Sequence, residues 1–307
     1  MKNSLFEHWL RFAARYPVSW ICLTASCLLA VVLLTTLALW PGADSTDKPM
    51  TTPRMISQRE SGVTSEQNNS LMPIEDAMPL SPAQAPDRAG LAIVIDDLGE
   101  NMQAVYALLE LRIPVTFAIW PHARLAQETA LAAHNAGCAI LIHQPMEALD
   151  PNAKPGPNPL RVGMPRSRME AVFRQNLARV PHAEGLNNHM GSLFTSQSGD
   201  VRLFCEIMAD SGLFVLDSVT HPASVLYEEA RVAGIPAARR DVFLDDKTGK
   251  PAVLAQLREA TRLALHGKQV IAIGHPRADT LVALREWNNA RDPRLRLLSL
   301  RDCLTPP

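Results

Sequence analysis

Residues 91–99 read LAIVIDDLG: five apolar residues, Leu91–Ile95, run straight into Asp96 and Asp97, and Gly99 follows one residue later. An unbroken apolar run of this length is the signature of a parallel strand buried on both faces, and the glycine lets the chain leave it in a turn. The two carboxylates therefore stand at a strand's C-terminal mouth, where α/β folds collect their ligands and catalytic groups. An isolated Asp-Asp at a strand end is often only a solvated turn or a helix cap. Here the pattern recurs, at ILIHQPME (140–147), GLNNHMGS (185–192), LFVLDS (213–218) and VIAIGHP (270–276).

Working outward, segments 91–95, 115–119, 139–142, 185–188, 213–216, 238–243 and 269–273 read as strands. Between them, 102–111, 125–135, 166–179, 200–210, 224–233 and 251–266 carry apolar residues at helical spacing. Gly137, Gly212, Gly234 and Gly267 stand where four of these helices should stop. Seven strands and six helices in alternation predict a parallel α/β sheet with right-handed crossovers, and the length of about 215 residues favours a slightly open or distorted seven-stranded (β/α) barrel over an open doubly wound sheet. No glycine-rich GxGxxG or Walker segment follows any strand, so no nucleotide cofactor is expected.

The N-terminal portion has a different character. Residues 1–17 form a short cytoplasmic N-terminus carrying Lys2, Arg11 and Arg15, and 18–40 is an uncharged apolar stretch. About 20 apolar residues suffice to cross a bilayer. With basic residues before this stretch and Asp44 and Asp47 after it, the positive-inside rule predicts a single-pass signal anchor in the inner membrane, with the remainder exported. Its length and the Trp40-Pro41 exit argue against cleavage; a cleaved signal would leave a soluble exported protein. Residues 41–89, rich in Pro, Ser, Thr, Gln and Asn without apolar periodicity, read as a flexible linker, and 90–303 as the working domain.

Composition narrows the partners. Thirty basic residues against 31 acidic give no reason to expect nucleic acid. Of the five cysteines, Cys22 and Cys27 lie in the apolar stretch, and Cys138, Cys205 and Cys303 are too scattered for a zinc ribbon; they read as mostly buried thiols.

At one rim of a barrel, the mouths bring together Asp96, Asp97, His143, Glu147, Asn187, Asn188, His189, Asp217, Arg240, Asp241 and His275. One carboxylate and two imidazoles suit a divalent metal, zinc by default, that leaves a position open for water. Asp97, His143 and His189 form the favoured set, with Asp96 as proton acceptor, His275 as proton donor and Asn188 as a donor to a developing oxyanion. Asp217 reads as a group orienting Asp96, an imidazole or substrate, and Arg240-Asp241 as either an ion pair or a positioned carboxylate. Asp245-Asp246 reads as a turn. Residues 150–165, with five prolines, read as a long irregular loop beside the site.

The blocks IDDLG, TFAIWP, HQPME, NNHMGS, LDS, ARRDVFLDD and IGHP, in this order, closely resemble the divergent polysaccharide deacetylase family of bacterial envelope proteins. That family lies within a carbohydrate deacetylase superfamily of distorted seven-stranded β/α barrels. The resemblance implies a carbohydrate substrate, acetyl removal by a metal-activated water, and a periplasmic domain. It also implies Asp96 as catalytic base, Asp97 and His143 as metal ligands, and His275 as catalytic acid. The superfamily's usual His-x-x-x-His pair is broken here, because Glu147 stands four residues after His143. Either Glu147 ligates through a carboxylate oxygen or His189 takes the vacant position; the strand-mouth placement of His189 favours the latter. The alternative to a hydrolase is a catalytically degenerate barrel serving as a periplasmic glycan- or metal-binding protein.

Overall fold

The computed structural model describes residues 89–305. The segments read as membrane anchor and linker fall outside the described residues, apart from residue 89. Among the described residues no helix is long and apolar enough to cross a membrane.

The strands are β1 (Gly90–Leu98), β2 (Val115–Ile119), β3 (Ile140–Met146), β4 (Gly185–Met190), β5 (Phe214–Asp217), β6 (Ala237–Arg239), β7 (Val242–Phe243) and β8 (Gln269–Gly274). The helices are α1 (Met102–Leu109), α2 (Ala126–Asn135), α3 (Arg166–Arg179), α4 (Ser198–Met208), α5 (Leu226–Val232), α6 (Lys250–Leu265) and α7 (Ala278–Ala290). Local chemistry explains their limits. The Asn101 side chain accepts from the Gln103 backbone N–H at 2.8 Å and caps α1. Gly137 and Gly267, at φ +73° and +87°, turn the chain out of α2 and α6 in a conformation that a Cβ disfavours.

All neighbouring strands run parallel, in the order β6-β5-β4-β3-β2-β1-β8-β7. The sheet has eight strands rather than the expected seven, because the segment read as one strand, 238–243, is two. At the break, the Arg240 N–H bonds back to Asp217 O on β5 at 2.9 Å, while the next N–H, of Asp241, bonds to Ile271 O on β8 at 2.9 Å. The chain therefore steps from one edge of the sheet to the other within two residues. No ladder joins β6 to β7, and the result is a parallel α/β half-barrel curled until its edges are covalent neighbours. The unexpected α7 follows β8 and buries Ala283, Leu284 and Trp287.

Strand alternation sorts the core into two layers. Ile93, Ile95, Phe117, Ile140, Ile142 and Val215 face outward to the helices. Ala92, Val94, Ala118, Leu141, Leu216 and Ile273 face inward, with Leu298, Leu300 and Cys303 from the C-terminal segment packed into the same interior cluster. Leu298 N donates to Leu91 O and Leu91 N to Arg296 O, which ties that segment to the start of β1. Cys205 and Cys303 are buried free thiols, and Cys138 is half-buried.

Candidate metal centre and cleft

In a regular strand Asp96 and Asp97 would point to opposite faces. The β1–β2 register instead shifts between Ile95 and Leu98, and Asp97 takes φ +54°. This bulge turns both carboxylates toward the mouth of the half-barrel. There they meet His143 from β3, His189 from β4 and His275 at the end of β8, along the wall of a cleft of about 840 Å³.

Asp97 Oδ1 lies 3.0 Å from His189 Nδ1 and 3.2 Å from His143 Nε2, and the two nitrogens are 3.1 Å apart. Donors sharing one ion at roughly 2.0–2.1 Å stand about 2.9–3.4 Å from one another, so the triangle fits one small divalent cation. Its chemistry agrees, since two imidazole nitrogens this close repel each other unless a proton or a metal lies between them. Burial opposes charge on His143, yet the carboxylates of Asp96 and Asp97 outweigh it and raise the imidazole to about 9. Burial likewise works against the Asp97 anion, but hydrogen bonds from His143 and His189 hold that carboxyl well below the usual range. The cluster is built for positive charge.

Asp96 is almost wholly buried, and its Oδ1 accepts from Asn187 Nδ2 at 2.7 Å. Burial raises its affinity for a proton, against the cationic pull of His143 and His275 and the Asn187 bond. On the other side of the cluster His275 Nε2 stands 3.8 Å from Asp97 Oδ2. Its Nδ1 bonds to Asp245 Oδ1 at 2.9 Å, and its backbone N–H donates to Asp245 Oδ2 at 2.9 Å. Burial by itself would lower the His275 imidazole; the bond to Asp245 and the charges of Asp96, Asp245 and Asp97 leave it above its ordinary value. A buried carboxyl and an imidazole, each with its proton affinity raised by its surroundings, thus flank a site for a cation.

A sequence profile of divergent polysaccharide deacetylases matches residues 93–304. The chain belongs to the divergent polysaccharide deacetylase family. Uncharacterized protein YibQ of Escherichia coli K12 is 34% identical over 219 residues, spanning 71% of this chain and 68% of YibQ. An uncharacterized protein of Haemophilus influenzae is 34% identical over 197 residues, spanning 64% of this chain and 69% of its own length. The crystal structure of the uncharacterized protein ATU2773 from Agrobacterium tumefaciens C58 superposes with a TM-score of 0.61 at 23% identity, covering 68% of this chain and 85% of that one, a likeness of fold.

Several other expected site residues of this deacetylase-family domain brace the surrounding chain, some of them from the cleft wall. Glu147 turns away from the triangle: Oε2 accepts from Val162 N at 2.9 Å and Oε1 faces Arg161 at 3.3 Å, so it staples the loop 150–165 to the end of β3. Asn188 is no free oxyanion donor, because its amide nitrogen is spent on Met190 O at 2.8 Å and Thr220 Oγ1 at 3.2 Å. Asp217 touches neither Asp96 nor an imidazole; it accepts from Val219 N and Ser224 Oγ, both at 2.8 Å. In doing so it holds Val219 at φ +49°, a left-handed conformation costly for a β-branched residue. The same turn presents the carbonyls of Ser218 and Val219 to Arg240, at 2.7 and 2.8 Å. Arg240 thereby lies over the Phe243 ring, 4.9 Å from its centroid, in the cleft wall. Asp241 also lines the cleft, with one oxygen held by Ile271 N at 2.8 Å.

Asp245 lies in a bend just after β7, as its sequence reading expects, but it is also a buried partner of His275, which that reading does not foresee. A signal for it exists: VFLDD (242–246) repeats the pattern of IVIDD (93–97), an apolar run ending in paired acids. The role of Asn187 carries no comparable signal, since in sequence it is one of two adjacent asparagines.

Proposed function

We propose that this protein is a metal-dependent hydrolase that removes acetyl groups from N-acetylated carbohydrate. The observation that carries the reading is the donor triangle of Asp97, His143 and His189 standing between Asp96 and His275. A divalent ion held there, zinc by default, supplies Lewis-acid activation of water and of the acetyl carbonyl. Asp96, buried and fixed by Asn187, receives the proton released as the attacking oxygen bonds to the carbonyl carbon. His275, oriented by Asp245 and raised by it above its ordinary value, returns a proton to the nitrogen that leaves. Arg240 and Phe243 offer a charged and an apolar surface against which a sugar ring can rest. The family description supports the carbohydrate substrate, and the apolar segment 18–40 supports an inner-membrane anchor with this domain in the periplasm.

The test uses the full-length chain loaded with zinc, measuring acetate release from chito-oligosaccharides beside Asp96→Asn and His275→Ala. Turnover falling at least ~100-fold in both, with metal content kept, supports the reading. A parent that binds zinc yet releases no acetate from glycans or simple acetyl esters replaces it with a barrel that only binds.

A further inference from the structure

Asn187 is fully buried at the centre of the site and uses both ends of its amide. Its Oδ1 accepts from His143 Nδ1 at 2.9 Å, while its Nδ2 donates to Asp96 Oδ1 at 2.7 Å and to Ser218 Oγ at 3.1 Å. We propose that Asn187 is a positioning residue that fixes His143 as a metal ligand and, with the same side chain, keeps Asp96 free to act as proton acceptor. The proposal rests on the hydrolase reading above.

By accepting from Nδ1–H, Asn187 fixes the His143 tautomer whose lone pair is on Nε2, the atom that faces Asp97 and His189. Asp96 Oδ1 itself stands only 3.8 Å from His143 Nδ1. Without an intervening group this carboxylate would close on the imidazole and be consumed as its partner. A planar amide prevents that, because it presents an acceptor to the ring and a donor to the carboxylate at once. Neither a carboxylate anion nor a hydrocarbon at this position can do both.

The test compares Asn187→Asp, which keeps an acceptor for His143 and loses the donor to Asp96, with Asn187→Ala, which loses both. In the full-length chain, zinc affinity is read by competition with a chromophoric chelator, and acetate release from chito-oligosaccharides is read separately. Asn187→Ala is expected to lose about 10–100-fold in zinc affinity, whereas Asn187→Asp stays within about threefold of the parent. Turnover is expected to fall at least ~100-fold in both. This split between metal and turnover is what a merely structural asparagine would not produce. If Asn187→Ala does not fold, the near-isosteric Asn187→Asp still shows the split against the parent. Unchanged zinc affinity in Asn187→Ala, loss of zinc in Asn187→Asp as deep as in Asn187→Ala, or parental turnover in Asn187→Asp overturns the proposal. A zinc-binding parent that releases no acetate defeats the hydrolase reading instead, and the zinc arm alone then decides the role of Asn187.

Discussion

Asp245 grips His275 twice, through the ring Nδ1 and through the backbone N–H, each at 2.9 Å. Thr280 Oγ1 donates to Asp245 Oδ2 at 2.9 Å and holds the carboxylate, while Arg277 donates to the Asp245 backbone carbonyl at 2.6 Å and holds the main chain. Both ends of the pair are therefore immobilised by the start of α7 and the end of β8. Asp245→Asn keeps the shape and removes the charge that helps hold His275 above its ordinary value. Turnover is expected to fall about 10–100-fold with metal content unchanged. With His275 losing its proton at lower pH, the alkaline limb of the kcat/KM profile moves toward acid. An unmoved limb would remove Asp245 from the proton-donating arrangement.

Protons and metal compete for the triangle. Since the neighbouring carboxylates raise His143 to about 9, metal entering below that pH must expel a proton. Zinc affinity is expected to climb with pH through 6–8, by up to about tenfold per unit for each proton released. Calorimetry in two buffers of different ionisation enthalpy reads the proton count directly. Affinity that is flat over this interval contradicts the protonated cluster.

Glu147 holds a loop and stands apart from the triangle. Glu147→Ala is therefore expected to keep a full equivalent of zinc. Its partner Arg161 is largely exposed, so the stability change is about 1 kcal/mol or less from the ion pair, with a further contribution of similar size from the lost Val162 bond. Limited proteolysis should show faster cutting within 150–162. Loss of zinc in this variant would return Glu147 to the ligand set.

The C-terminal segment helps fill the half-barrel interior through Leu298, Leu300 and Cys303. Leu300 is fully buried, and Leu300→Ala should cost about 2–5 kcal/mol from lost burial and the cavity left behind. Denaturant unfolding reads this cost, and zinc affinity of the folded fraction should not change. A cost near zero would mean that the interior collapses to fill the gap.

How far the chain was legible follows from the kind of signal each residue carries. The segment 91–95 is a continuous apolar run, 115–119 and 269–273 are apolar but for Thr116 and Gln269, and all three, with 185–188, lie within observed strands. The segment 238–243 misled because Ala238, Val242 and Phe243 have strand character on both sides of a break that only the pairing reveals. In the sequence Asp217 and Asn188 are marked only by position, as polar groups at strand mouths, and Glu147 only by position and its spacing from His143. Whether such a group points at the cleft or braces a neighbouring turn depends on χ angles and on what the facing strand offers.

By itself the sequence determined a parallel α/β architecture, the rim on which polar groups collect, and membership in a deacetylase family, because apolar periodicity and motif order are local and additive. Tertiary structure alone decided which polar groups meet. The bulge at Asp96-Asp97 defeats strand alternation, the crossing at Arg240-Asp241 brings two sheet edges together, and Asn187 joins residues 91 and 44 positions away. Each is a contact between segments far apart in the chain, and its energy comes from burial and hydrogen-bond geometry that exist only after the sheet has curled.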